Sequence, residues 1–80
     1  MVNKDEILNA TETYLNTMEA HINRAGEIGR IYIDRLLDLG LTDEEAAELY
    51  IEVSVALGKR QFGSETIETT KRFLDMVKED

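Results

Sequence analysis

Two sets of charged side chains carry whatever chemistry this chain can do. The first is basic: Arg24, Arg30, Lys59 and Arg60. Arginine offers a planar fork that matches phosphate or carboxylate in two-pronged geometry. Gly26 and Gly29 stand between the two arginines and would let a ligand or a second backbone come close. Should the helix after residue 40 fold back antiparallel on the one before it, Lys59 and Arg60 would fall near residues 21–25. Tyr14, Tyr32 or Phe62 would then lie near the cluster. Arg24, Arg30, Lys59, Arg60 and Tyr32 are therefore a candidate site for a phosphorylated metabolite or nucleotide. The competing reading is charge balance against acids such as Glu19 and Glu27, and exposed pairs of that kind contribute about 0–1 kcal/mol.

The second set is acidic: Glu44, Glu45, Glu48 and Glu52, with Glu45, Glu48 and Glu52 on one helical face. Glu-Glu-x-x-Glu is similar to the magnesium-binding first half of the all-α NTP pyrophosphatases, over five to nine residues. That resemblance implies a metal-dependent nucleotide hydrolase. The family's second half, Glu-x-x-Asp on a following helix, has no counterpart, because none of Glu65, Glu68 and Glu79 has an aspartate three residues on. An acidic first turn, favoured by the helix dipole, and a solvated face explain the run without metal. On that reading Glu44, Glu48 and Glu52 form a surface for a basic protein partner. The stretch LLDLGLTDEEAAEL also resembles the first turn of a ubiquitin-associated domain, where Leu-Gly-hydrophobic precedes an alanine-bearing helix. A helix stop followed by a helix start writes the same pattern, and here the next helix reads longer.

No further catalytic set emerges. His21 is the sole histidine, without Glu-x-x-His spacing and without a cysteine to activate, and Ser54 and Ser64 fit a helix face and a cap. No catalytic residue, metal ligand or cofactor is assigned.

These residues sit on helices. Asn3 with Glu6 reads as an N-terminal cap. A heptad then runs Leu8, Thr11, Leu15, Met18, Ile22, Ala25, Gly29, Tyr32, Leu36 and Leu39, with Ile7, Tyr14, His21 and Ile28 beside it. Its unbroken register predicts one helix over residues 4–39, roughly 54 Å long at 1.5 Å per residue. A break at Gly26 would instead allow a compact four-helix monomer. Gly40 ends the helix and Leu41 follows it, as a left-handed glycine stop requires. Thr42 and Glu45 open a second helix whose face is Ala46, Tyr50, Val53 and Leu57, flanked by Ala47, Ile51 and Ser54. It ends near Gly58 or Gly63. Ser64 reads as the cap of a last helix bearing Ile67, Thr70, Phe73 or Leu74, and Val77.

The expected fold is all-α: one domain over residues 1–80, a long N-terminal helix packed against two shorter ones. A chain of 80 residues buries a marginal core, and with no cysteine it has no disulfide to staple it. Oligomerisation is the remaining route. A dimer or larger homo-oligomer is expected, with Leu15, Met18, Ile22, Gly29, Tyr32 and Leu36 at its interface. No apolar run approaches the ~18 residues of a membrane span and no leader pattern opens the chain, so a cytoplasmic protein is expected. The net charge of −8, six units of it over residues 38–52, repels nucleic acid. The function expected is a small, non-enzymatic, acidic helical protein that binds and modulates, by inhibition, another protein. The alternatives are the small-ligand binder at the basic residues and, third, the pyrophosphatase.

Overall fold

The computed structural model of the chain describes residues 2–58 and 64–77. They form four α-helices: α1 Lys4–Ala20, α2 Ala25–Asp38, α3 Asp43–Gly58 and α4 Ser64–Met76, with a 3₁₀ turn over Ile22–Arg24. The all-α bundle expected from the sequence is present. The single helix over residues 4–39 is not.

Helix α1 starts where Asn3 accepts the Glu6 N–H through its side-chain oxygen at 3.2 Å. It stops at Ala20 because His21 leaves helical space, at φ −137° and ψ 52°. The His21 N–H still reaches the Thr17 carbonyl, and its own carbonyl accepts from the Arg24 N–H, both at 2.9 Å. That closes the 3₁₀ turn and reverses the chain. Helix α2 then returns along α1, so that the Asn3 N–H donates to the Leu39 carbonyl at 3.2 Å. The longest dimension of the molecule, 37 Å, is too short for the expected helix of about 54 Å.

The reversal is driven by burial. An extended helix over residues 4–39 would leave most of its apolar stripe in water, whereas folding it back packs α1 against α2. Such packing, more than local propensity, decides whether helices persist. The heptad does not register the break, because the four-residue link His21–Arg24 advances the chain by little more than one 3.6-residue turn. The break lies at His21 rather than at Gly26, which is an ordinary member of α2.

The second reversal matches its sequence signal. Gly40 takes φ 107°, the left-handed position. The Gly40 N–H donates to the Leu37 carbonyl and the Leu41 N–H to the Leu36 carbonyl, each at 3.2 Å. This is the Schellman pattern, and Leu41 is buried as that motif requires. Thr42 and Glu45 then cap α3 reciprocally: the Thr42 N–H donates to Glu45 Oε1 at 2.9 Å and the Glu45 N–H to Thr42 Oγ1 at 3.1 Å.

Each helix packs on two neighbours, in the cyclic order α1, α2, α3, α4 and back to α1. Ile7, Leu36, Leu49, Val53 and Leu74 fill the centre with no exposure above 2 %. The buried face of α3 is Ala46, Leu49, Val53 and Ala56, with Tyr50, Ser54 and Leu57 half-buried beside it. Ala47 and Ile51, expected at its flank, instead face solvent. In α4, Thr66 and Thr70 are buried with Phe73 and Leu74.

The side chains expected between subunits are mostly inside one chain. Leu15, Gly29, Tyr32 and Leu36 are buried within this bundle. Met18 is half-buried, and Ile22 is 75 % exposed in the 3₁₀ turn. The reason is the reversal at His21, which closes upon itself the stripe that an unbroken helix would have offered outward. Among the described residues, no helix is long and apolar enough to cross a membrane.

Candidate interaction surface

The basic set does not gather within the described residues. Arg24 precedes α2 and pairs with Glu27, Nε to Oε2 at 3.3 Å, with both side chains well exposed. Arg30 is exposed on α2. Lys59 and Arg60, expected near residues 21–25, lie outside the described residues. Tyr32 is buried, its hydroxyl 2.7 Å from that of Thr11.

Tyr32 instead helps to floor a groove between α1 and α2 of about 350 Å³. Its ring stacks on that of Tyr14, with centroids 4.4 Å apart and planes 9° from parallel. Ala10, Ile28 and Ile31 complete the apolar part of the wall, and Asn9, Thr13 and Thr17 supply polar rims. Arg35 and Glu6 meet at one end, a loose exposed pair at 3.9 Å. Neither Arg24 nor Arg30 lines the groove. Burial pushes both phenols above their ordinary value; the hydrogen bonds to Ser54 for Tyr14 and to Thr11 for Tyr32 pull the other way. The tyrosines are thus neutral structural groups.

Helix α3 presents a different surface. Glu44, Glu48 and Glu52 are all exposed and follow one another at four-residue intervals, forming a straight acidic ridge. Ala47, Ile51 and Val55 are exposed at the same interval and form a second ridge alongside. Ile51 is 60 % and Val55 51 % exposed, two of five large apolar side chains exposed among the described residues. Among the described residues, none of the three glutamates of the ridge has an ion-pair partner. Glu45 lies off this ridge and is engaged in the cap of α3. Among the described residues, no three histidine, aspartate or glutamate side chains converge as a metal site would require.

The apolar ridge is the part of the site that sequence reasoning missed. Its signal is the composition of α3, DEEAAELYIEVSVALG, which carries apolar residues on both its inner and its outer face and has no lysine or arginine. A widened apolar stripe on a helix reads as a wider buried face; in α3 the outer part of that stripe stays exposed beside the acidic ridge.

No protein-family model, curated protein or solved structure matches the chain.

Proposed function

We propose that this chain is a non-enzymatic, acidic helical interaction protein that binds and modulates another protein through the outer face of α3. The observation that supports this most is the pair of ridges on that helix: exposed Ile51 and Val55 beside Glu44, Glu48 and Glu52. Exposed apolar side chains grouped together and edged by one sign of charge are the anatomy of a contact surface, with an apolar centre and a polar rim. Burying the apolar ridge supplies affinity, and the acidic ridge selects and steers the partner. Modulation, by inhibition, follows when the surface so covered is one the partner needs.

A photo-reactive amino acid at position 51, compared with one at the exposed Asp34 position on α2, tests this reading in the cells that produce the protein. Position 51 is expected to yield a discrete adduct with a different protein, and position 34 none. A folded variant that gives no adduct at 51 overturns the reading.

One observation favours a second reading, that of a small-ligand binder. The α1–α2 groove falls within the roughly 300–1,000 Å³ typical of ligand pockets, and Tyr32 lines it. Its charged end is Arg35 with Glu6, in place of Arg24 and Arg30. A ligand held there raises the melting temperature with ligand concentration, and changing Ala10 to a bulky residue removes that rise.

A further inference from the structure

Resting on the reading of α3 as a docking surface, we infer that its occupant is a cationic amphipathic helix, one that carries an apolar row beside a lysine- or arginine-bearing row, and is not a second copy of this chain. Spacing limits what can dock here. Both exposed ridges of α3 repeat every four residues, 44-48-52 and 47-51-55, and each runs about 12 Å at 1.5 Å per residue. Rows at that interval are what one helix offers to another when ridges pack into grooves. A partner helix crossing α3 would seat its apolar side chains against Ile51 and Val55 while its next row passed over the glutamates.

Charge decides the sign of that next row. Glu44–Glu48 and Glu48–Glu52 are like-charged neighbours at four-residue separation, an arrangement that weakens a free helix. No cation occurs in α3, and among the described residues none reaches the three glutamates from elsewhere. A cationic row relieves this repulsion and makes charge-assisted contacts as it docks. A second copy brings the opposite: its own α3 is equally acidic, and its net charge is again −8. Arg24, Arg35 and Lys71 already face Glu27, Glu6 and Glu68, and the exposed Arg30 lies on α2, away from the Ile51 and Val55 ridge that an α3–α3 pairing would bring together. Pairing α3 with α3 about Ile51 and Val55 would set glutamate ridges at close quarters, which is costly.

The test uses the whole chain and a labelled model peptide of about 14 residues, roughly 21 Å as a helix, with leucines in one row and lysines in the adjacent row. A peptide of identical composition with the rows scrambled, and one with glutamate for lysine, serve as controls. Fluorescence anisotropy is expected to give saturable binding of the amphipathic cationic peptide, at least about tenfold tighter than either control. The joint change Ile51→Ser and Val55→Ser is expected to weaken binding by about tenfold or more with the melting temperature retained. Glu48→Gln with Glu52→Gln is expected to flatten the salt dependence. Equal affinity for the scrambled peptide overturns the inference, since charge alone would then suffice. So does sedimentation that shows a dimer dispersed by Ile51→Ser. If the position-51 adduct forms in cells but the amphipathic peptide does not compete with it, the partner's chemistry is wrong and the docking reading stands; if no adduct forms, the docking reading itself fails.

Discussion

The hydroxyls of Thr11 and Tyr32 lie 2.7 Å apart although 21 residues separate them in the chain. An unbroken helix would hold them about 31 Å apart at 1.5 Å per residue. This one contact captures the hairpin of α1 and α2. Both groups are buried, and Thr11 also donates to the Ile7 carbonyl at 3.1 Å, which leaves Tyr32 to supply the proton of the shared bond. Tyr32→Phe, which leaves the buried Thr11 hydroxyl without this donor, is expected to cost about 1–2 kcal/mol. Thr11→Val should cost a similar amount, because it orphans the tyrosine. The double variant should cost clearly less than the two singles together, as urea denaturation of all four proteins would measure.

The same burial sets an alkaline limit. Tyr14 and Tyr32 have phenols held above their ordinary value near 10 in the folded chain, chiefly by desolvation. A raised acid group binds its proton longer in the folded state than in the unfolded one. Its contribution is therefore complete below pH about 10 and is lost progressively above it, as the unfolded tyrosines ionise. Thermal midpoints should fall above pH 10, and Tyr32→Phe should remove much of that fall.

The two glycines of α2 should respond differently to alanine. A Cβ on Gly26 meets nothing within 4 Å, so Gly26→Ala should stabilise by a few tenths to about 1 kcal/mol. A Cβ on Gly29 would fall 2.7 Å from the Tyr50 hydroxyl oxygen and 2.9 Å from the ring's Cε1. Gly29→Ala must displace that ring, and with it the tilted contact of Tyr50 with Tyr14 at 6.2 Å. It should be less stable than Gly26→Ala, by calorimetry, by about 1 kcal/mol or more.

Ile22 distinguishes a self-sufficient bundle from a subunit interface. At 75 % exposure in the 3₁₀ turn it packs little within the chain. Ile22→Asp should change unfolding free energy by less than about 0.5 kcal/mol. A loss of several kcal/mol, accompanied by a fall in mass by light scattering, would place Ile22 in a subunit interface.

What the sequence made legible follows the strength of its local signals. The Gly40 stop and the Thr42–Glu45 cap are chemical requirements of single positions, and both are met. The break at His21 has no such marker: no proline or left-handed glycine stands there, and the heptad continues through it. It is a product of tertiary burial, which periodicity does not encode when the link is one turn long. The acidic ridge was legible as Glu44, Glu48 and Glu52. Ile51 and Val55 were not, because an apolar residue on a helix reads as core until the helix's inner face is known. Arg24 and Arg30 looked like a pair only along the chain; in space one binds Glu27 and the other faces solvent.

Docking on α3 can be mapped residue by residue from backbone amide shifts as the cationic amphipathic peptide is added to ¹⁵N-labelled protein. The largest shifts are expected along Glu44, Ala47, Glu48, Ile51, Glu52 and Val55, with small changes at Ala10, Thr13 and Ile31 in the α1–α2 groove. Shifts concentrated in that groove, or none at all on α3 at saturating peptide, would contradict that docking.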